Sequence, residues 1–310
     1  MLTPEEYSAQ FHDRCGVNPG IGAVPVTEKP VLPARKPVSH KYTYGRALIL
    51  GGASGFSGAP VLAANACERS GAGLTHLMVP ESIWPIAAAK CDGAVVTPLK
   101  ATADGTVSRE ALDVILPVLE KANACAIGPG LGHGQEAVVI VESVIRNAAC
   151  PLLLDADALT VVGGNRKLLK SAAVPLILTP HEGEFRRMGG DLSDGRLAGA
   201  LRFSEEYDGV ILVLKGYGTL VCSDGRVSVN PTGGPAMAKG GSGDVLSGVI
   251  CALLAQGFEP LTAAADGVYI HGAAGDLASE QVGDYSLAPS DIIRCLPDVF
   301  KACISPSGQP

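Results

Sequence analysis

Short apolar runs and longer segments with helical spacing alternate along most of this chain. From residue 44 onward, runs rich in Leu and β-branched residues end at Gly, Pro or Asp, and Ala-rich segments follow them. Such an alternation, with strands apolar on both faces, is typical of a mostly parallel sheet between two layers of helices. The pattern predicts strands at 46–50, 74–79, 94–97, 124–127, 152–154, 176–178, 210–214, 219–222 and 226–229, and helices at 59–70, 109–119, 135–147, 200–207, 245–256, 261–280 and 289–302.

Two parts of the chain depart from this alternation. The stretch 219–229 contains a Ser-Asp-Gly turn and predicts an antiparallel hairpin near an edge of the sheet. The first 40 residues contain six prolines and show no sustained apolar periodicity beyond a short helical pattern at 4–14. We therefore expect a Pro-rich arm at 1–40 and a single α/β domain at 41–310.

Composition excludes several classes of protein. The chain is 47% hydrophobic, which excludes disorder of the whole, and 39 of its 310 residues are glycine, well above the average of roughly 7%. The net charge of -7 comes without any basic run, so nucleic acid is not an expected partner. Charges, Gly or Pro interrupt every apolar stretch before the roughly 18 residues that a membrane-spanning helix needs, and no signal peptide is visible.

Nine cysteines occur singly, without any C-x-x-C pair and mostly among apolar neighbours. This spacing indicates neither a disulfide framework nor a zinc site. We expect buried, reduced thiols and a cytoplasmic protein.

The strongest chemical signal is the loop at 230–244, NPTGGPAMAKGGSGD, which leads directly into a helix with one apolar stripe. Its glycines let backbone N–H groups converge at the helix N-terminus, where unpaired donors and the helix dipole favour an anion such as phosphate. Gly241, Ser242 and Gly243 form the candidate anion hole. Asp244 stands in the first helical turn, where it is either a catalytic base or a simple N-terminal carboxylate.

Four further loops follow predicted strands, and ligands of parallel sheets bind at the carboxyl ends of strands. Each loop also has a simpler structural explanation as a turn or a helix cap. The loops are a Lys-Gly turn at 215–219, a turn at 179–185 that places His181 beside two glutamates, a Gly-Pro-Gly turn at 128–130, and a pair of carboxylates, Asp155 and Asp157, suited to a metal.

The loop at 52–58, GASGFSG, supports a different interpretation. Its glycine spacing after a strand matches the dinucleotide-binding loop of short-chain dehydrogenases. Such an oxidoreductase also needs a Tyr-x-x-x-Lys pair, and none of the seven tyrosines has Lys four residues later. The loop at 230–244 would moreover have no role in such an enzyme, so we do not favour this alternative.

Taken together, the motifs resemble those of the ribokinase-like NAD(P)H-hydrate dehydratases, which repair hydrated nicotinamide cofactors with ADP or ATP. The similarity runs from about residue 40 to the end. Its most specific elements are PHEGEF at 180–185 and NPT at 230–232 followed by KGGSGD at 239–244; further matches are HKYTYG at 40–45, SGAGL at 70–74, GPG at 128–130, DADA at 155–158 and KG at 215–216.

The resemblance implies a ribokinase-like three-layer α/β/α sandwich with a mostly parallel central sheet. It also implies a function for individual residues. Asp244 corresponds to the catalytic aspartate and Gly243 to a glycine that contacts the nucleotide. Further nucleotide-binding positions are Lys215, Gly216, Tyr217, Gly218, Thr219, Asn230 and Thr232, and the hydrated nicotinamide would contact Ala59, Gly130, His181 and Asp244.

The same resemblance implies the reaction and its partners. We expect the S-epimer of hydrated NADH or NADPH (NADHX or NADPHX) as substrate, ADP or ATP as phosphate donor, and Mg2+ at the phosphates with Asp155 and Asp157 as candidate ligands. A separate NAD(P)HX epimerase is the expected pathway partner, since no such domain fits into 40 residues, and a homo-oligomer, tetramer or dimer, is expected. Two alternatives stay open: a small-molecule kinase of the same fold, for hydroxymethylpyrimidine, thiazole or sugar-type substrates, and a non-catalytic nucleotide sensor.

Overall fold

The predicted alternation folds into one nine-stranded sheet in the computed structural model, which describes residues 27–304. All nine predicted strands begin at the predicted residue or within one residue of it and end within two residues of the predicted end. Within the described part of the chain the strands are β1 (Arg46–Leu50), β2 (Leu74–Pro80), β3 (Val95–Leu99), β4 (Ala124–Ile127), β5 (Leu152–Leu154), β6 (Leu176–Leu178), β7 (Val210–Leu214), β8 (Leu220–Ser223) and β9 (Arg226–Val229).

The helices fall between these strands or after them. Three short 3-10 turns add to the helices, at Lys41–Tyr44, Arg109–Ala111 and Pro235–Met237. The α-helices of residues 27–304 are α1 (Gly58–Arg69), α2 (Trp84–Lys90), α3 (Leu112–Leu119), α4 (Gln135–Asn147), α5 (Asp157–Gly164), α6 (Lys167–Ser171), α7 (Glu182–Arg187), α8 (Arg196–Glu206), α9 (Ser242–Ala255), α10 (Pro260–Val282) and α11 (Pro289–Cys303).

The sheet is parallel over most of its width. Its strand order is β3-β2-β1-β4-β5-β6-β7-β8-β9, and the first seven strands in that order run parallel. β8 and β9 form an antiparallel hairpin at one edge, as the Ser-Asp-Gly turn predicts. Because seven carboxyl ends meet at the same edge of the sheet, the loops that follow them can share one site.

Both faces of the sheet are covered by helices. All residues of β4, β5, β6 and β7 are buried and apolar, as expected for strands between two helix layers. One apolar core lies under α1, α2, α9, α10 and α11, and a second lies under α3 to α8. The architecture is therefore a three-layer α/β/α sandwich with a mostly parallel sheet.

Four short helices are absent from the sequence-based prediction: α2, α5, α6 and α7. Each has eight residues or fewer, so it offers too few turns for an apolar periodicity to show. α8 begins at Arg196 rather than at the predicted residue 200. The helical pattern predicted at 4–14 lies outside the described residues.

The segment just before the 3-10 turn at Lys41–Tyr44 contacts the edge of the sheet and the last helix. Thr27 N–H donates to the carbonyl of Val229 in β9 at 2.9 Å, and Leu32 N–H donates to the carbonyl of Cys303 in α11 at 2.8 Å. Leu32 is buried in the core under α11. Part of the predicted arm thus packs against the domain, while its boundary at residue 40 stays a prediction.

Eight of the nine cysteines lie in the described part of the chain. All eight are free and buried, as predicted. Cys15 lies outside the described residues. Within residues 27–304, none of the helices combines the length and the apolar character that crossing a bilayer requires.

Candidate active site

A cavity of about 600 Å3 opens at the carboxyl ends of β5, β6 and β7, between the N-terminus of α9 and the side of α10. Its lining combines glycines with a few polar side chains, which is typical of a small-molecule site. Of the residues predicted from the sequence, it brings together Asp155, His181, Lys215, Gly216, Tyr217, Thr219, Asn230, Thr232, Gly241, Ser242, Gly243 and Asp244.

The N-terminus of α9 forms the floor of this cavity. Gly241 is the N-cap of the helix and has a φ of +96°, a backbone conformation that favours glycine. A side chain here would also bring its Cβ within 2.8 Å of Leu62 in α1. The first N–H groups of a helix lack intrahelical acceptors, so those after Gly241 can bind an anion in the cavity.

Asp244 lies in the first turn of α9 and is partly buried. Burial, together with the nearby carboxylates of Asp155 and Asp157, raises the pKa of Asp244 to about 7 against the opposing effect of Lys215. A carboxylate with a pKa near 7 suits a general base that must accept a proton at neutral pH.

Lys215, directly after β7, lines the cavity together with a second lysine, Lys239. Its Nζ lies 3.0 Å from Asp155 Oδ1 and 3.8 Å from Glu184 Oε2. Burial disfavours the charged form of Lys215, but these two carboxylates outweigh that effect and raise its pKa above the ordinary value. The ammonium group therefore stays charged beside the anion hole, with Gly243 next to it.

Asp155 is a structural partner of this lysine. Its other oxygen, Oδ2, accepts a hydrogen bond from Ser247 Oγ in α9 at 2.6 Å. Burial favours the neutral acid, but Lys215, Ser247 and Thr179 together lower the pKa of Asp155 below its usual range. Asp155 thus links β5, β7 and α9 at the centre of the site.

His181 caps the short helix α7. Its Nδ1 accepts from the N–H groups of Gly183 at 3.0 Å and Glu184 at 3.2 Å, while Glu184 Oε2 accepts from His181 N–H at 2.8 Å. This reciprocal pair is a capping box. Because Glu184 also faces Lys215, the cap joins His181 to the charged centre of the site.

Arg196, the first residue of α8, binds the backbone of the loop that follows β7. Arg196 Nη1 donates to the carbonyl of Tyr217 at 2.7 Å, and Nη2 donates to the carbonyl of Leu214 at 3.1 Å. Its guanidinium also pairs with Glu182 at 3.2 Å. The sequence contains no signal for this role. Arg196 lies before the helix predicted at 200–207, and no motif surrounds it.

Asn230 and Thr232 also line the cavity. Asn230 is buried, and its Nδ2 donates to the carbonyl of Thr232 at 2.8 Å. The Thr232 hydroxyl donates to the carbonyl of Tyr269 in α10 at 2.8 Å. These bonds fix the turn that leads from β9 towards α9.

Ala59 and Gly130 lie together beside the large cavity rather than in its lining. A side chain at Gly130 would place its Cβ 3.5 Å from that of Ala59 and 3.0 Å from that of Phe56. Ala59 stands one turn before Leu62, the residue that contacts Gly241. The two positions therefore border the anion hole from the side of α1.

Asp155 and Asp157 are both engaged within the protein. Asp155 binds Lys215 and Ser247, and Asp157 Oδ2 accepts from Gly132 N–H at 2.8 Å. Among the described residues, no group of three or more His, Cys, Asp or Glu side chains is placed to hold a metal. That these two aspartates bind a metal stays a prediction.

Comparison with known proteins shows the family of this chain. The sequence model of the NAD(P)H-hydrate dehydratase (Carb_kinase) family matches residues 47–298. The chain belongs to this family. It is 41% identical, over 87% of its length, to the bifunctional NAD(P)H-hydrate repair enzyme Nnr of Moorella thermoacetica. The aligned part is 52% of that relative, so the chain spans about half the length of the curated relatives it matches.

Solved structures give the same assignment and the fold. The ADP/ATP-dependent NAD(P)H-hydrate dehydratase of Bacillus subtilis, co-crystallised with ATP and Mg2+, superposes with a TM-score of 0.74 at 30% identity, over 90% of this chain and 99% of that one. A ribokinase-like superfamily protein of Enterococcus faecalis V583 gives a TM-score of 0.78 at 30% identity, over 89% and 93%. The predicted family and the ribokinase-like fold are confirmed. Neither the kinase alternative nor the oxidoreductase alternative is favoured by these hydrate dehydratase relatives.

Several residues of the site escape the sequence analysis. Glu184 and Ser247 bind the Lys215–Asp155 pair, and Arg196 holds the following loop. His271 in α10 lines the cavity, and burial lowers its pKa to about 4, so that it stays neutral at physiological pH. Only Glu184 has a sequence signal, since it stands in the PHEGEF motif.

Proposed function

We propose that this chain is a nucleotide-dependent hydro-lyase that dehydrates the S-epimer of hydrated NADH and NADPH, with ADP or ATP as phosphate donor. Family membership supports this activity, and one observation on the site carries it. Asp244, with a pKa of about 7, stands beside the N-terminal donors of α9. A hydroxyl nucleophile that approaches Asp244 would face a phosphate bound at these donors.

The geometry supports a two-step reaction. In the first step Asp244 accepts the proton of the ring hydroxyl, whose oxygen attacks the terminal phosphorus while the bond to the nucleotide breaks. The N–H groups after Gly241 and the ammonium of Lys215 stabilise the charge on the transferred phosphoryl group. In the second step the ring carbon loses phosphate, a better leaving group than hydroxide, and loss of a ring proton restores the double bond.

The cavity suits the nucleotide. The loop after Lys215 and the turn containing Asn230 and Thr232 both line it. We assign them to the nucleotide, and Ala59, Gly130 and His181 to the hydrated ring. Mg2+ bound with the nucleotide would neutralise phosphate charge.

The activity is tested with hydrated NADH, Mg2+ and either ADP or ATP. We expect the near-ultraviolet absorbance of reduced nicotinamide to recover, with stoichiometric release of phosphate and of AMP or ADP. The donor that gives the higher kcat/KM identifies the nucleotide that the enzyme uses. Recovery with neither nucleotide would contradict the proposal, and nucleotide binding without turnover would favour a sensor.

The role of Asp244 is tested with Asp244→Asn. This variant loses the base but keeps the helix donors, so we expect kcat to fall on the order of 10²- to 10⁴-fold. Nucleotide affinity, measured by calorimetry, should change little. An unchanged kcat would show that Asp244 is not the base.

Three further features belong to the proposal. We expect a separate NAD(P)HX epimerase to supply the S-epimer, a cytoplasmic location, and assembly into a homo-oligomer. Light scattering of the purified protein measures the oligomeric state. Addition of an epimerase to an equimolar mixture of the two hydrate epimers should double the amount of NADH recovered.

A further inference from the structure

A second cavity, of about 380 Å3, lies beside the candidate active site and shares one residue with it, Ala156. Ala156 has a φ of +48° and a ψ of -114°, a strained conformation for a residue with a Cβ. We call this second cavity the Arg187 cleft. Its lining consists of His133, Ala156, Asp157, Thr160, Glu184 and Arg187.

Two elements lead from the proposed ring site into the Arg187 cleft. The loop that contains Gly130 continues to His133, three residues later. The helix that His181 caps is α7, and Arg187 is its last residue. The Arg187 side chain reaches back along α7, since its Nη1 lies 3.6 Å from the position that a Cβ at Gly183 would take. His181 Cε1 lies 2.9 Å from that same position, so Arg187 Nη1 and the His181 ring are at most about 6.5 Å apart.

Arg187 is exposed, and within residues 27–304 its guanidinium makes no ion pair, although two carboxylates line the same cleft. Both carboxylates have other partners. Asp157 accepts from Gly132 N–H and lies 3.4 Å from His133 Nε2, and Glu184 accepts from His181 N–H and faces Lys215. The preceding residue, Arg186, pairs instead with Glu182 at 3.4 Å. An arginine at a cavity without a carboxylate partner has its fork of donors free for a phosphate.

We propose that the Arg187 cleft binds a phosphate group of the dinucleotide substrate through the guanidinium of Arg187, with His133 at its rim. This inference rests on the proposed function. In a hydrated dinucleotide a single ribose separates the nicotinamide ring from the diphosphate, so a phosphate site must lie close to the ring site. Both hydrated cofactors contain the diphosphate, and hydrated NADPH also carries a 2′-phosphate on its adenosine half.

Arg187→Ala and Arg187→Gln test the cleft in steady-state assays with hydrated NADH and hydrated NADPH. Loss of a charge-assisted contact to phosphate should raise the substrate KM roughly 10- to 100-fold. We expect kcat to stay within about twofold and the KM for ADP or ATP to stay unchanged, because the nucleotide cavity is intact. A rise for both hydrates assigns the contact to the diphosphate, and a rise for hydrated NADPH alone assigns it to the 2′-phosphate. An unchanged KM for both hydrates would overturn the proposal.

Arg186→Ala is the matched control. Arg186 is exposed on the same helix but does not line the cleft, so its loss should leave the substrate KM unchanged. An equal rise in both variants would mean a general effect of charge and would also overturn the proposal. If the wild-type enzyme dehydrates neither hydrate, the proposed function fails. In that case the affinities of the wild-type protein and the Arg187→Ala variant for NADPH, measured by fluorescence, decide the inference, and equal affinities refute it.

Discussion

Asp244 combines two requirements that oppose each other. A general base must be ionised, but burial and the carboxylates of Asp155 and Asp157 disfavour ionisation. Lys215 partly offsets this, and the result is a pKa of about 7. Burial and the neighbouring carboxylates destabilise the folded protein when Asp244 is ionised, and they also bring its pKa close to neutral pH. Both effects can therefore be measured at this residue.

The rate should therefore follow the ionisation of Asp244. Below about pH 6 most Asp244 carboxyls are protonated, and we expect kcat/KM to fall about tenfold for each further pH unit. Above about pH 8 the rate should reach a plateau. A pH profile of hydrate dehydration measures this, and a flat profile between about pH 5.5 and 8 would be inconsistent with Asp244 as the base.

Removal of this carboxyl should stabilise the folded protein at high pH. The native pKa of about 7 exceeds the unfolded value of about 3.9, so the native state holds a proton that the unfolded state releases. Stability is lost as pH rises through this window. At about pH 8, Asp244→Asn should thus raise the free energy of unfolding by on the order of 2–4 kcal/mol, and the gain should shrink towards about pH 4.

Denaturant unfolding at several pH values measures this gain. Asp298→Asn, at an exposed position of α11, controls for the loss of one negative charge. A gain that is the same at all pH values, or equal in both variants, would speak against a strained carboxylate at position 244.

Among the helices, α9 positions the anion hole because its backbone packs very close to that of α1. A Cβ at Gly248 in α9 would lie 2.1 Å from the carbonyl oxygen of Ala63 in α1. This oxygen is backbone, so it cannot move aside without shifting the helix. The close approach sets the position of Gly241 and Asp244, which lie less than two turns earlier in the chain.

Gly248→Ala should therefore destabilise the protein although alanine favours helices. We expect a loss of roughly 1–3 kcal/mol from overpacking, and a lower kcat because the first turn of α9 shifts. Gly164→Ala is the matched control, since no atom lies within 4 Å of a Cβ at this helical glycine of α5. There we expect a gain of up to about 1 kcal/mol. Thermal unfolding compares the two, and equal effects would refute the packing argument.

For the whole molecule, the acidic surface and the anionic ligand are compatible because the positive charge is local. The net charge is -7, yet the proposed phosphate sites lie at a helix N-terminus, at Lys215 and at Arg187. Lys239, in the loop at 230–244, instead donates to the carbonyls of Tyr285 and Leu287. Its role is thus to tie this loop to the chain before α11.

The two ends of the described chain also meet, and this contact has a testable effect on stability. Leu32 is 5% exposed and bonds to the end of α11, whereas its neighbour Val31 is 76% exposed. Leu32→Ala should lower the free energy of unfolding by about 2–4 kcal/mol, and Val31→Ala should change it little. Denaturant unfolding measures both. Equal effects would mean that the segment before residue 40 does not contribute to the core.

The sequence by itself determined the layer architecture and the main chemical groups. Strands such as β5 and β6 are so uniformly apolar that both faces must be covered, which predicts helices on both sides. Glycines before α9 and the aspartate after them are local signals, because the anion site is built from consecutive residues. The KGGSGD motif therefore predicts Asp244 as a site residue, and the separate Lys-Gly turn predicts Lys215, without coordinates.

The electrostatic interactions between these groups depend on the tertiary structure. The pairing of Lys215 with Asp155 joins residues 60 positions apart, and no local pattern encodes it. Sequence predicted Asp155 as a metal ligand or a helix cap, whereas its contacts in the fold are Lys215 and Ser247. The pKa of Asp244 and the lack of an ion pair at Arg187 within residues 27–304 likewise depend on which carboxylates the sheet brings near them. Electrostatic interactions act through space, so they follow the order of strands in the sheet and not the order of residues in the chain.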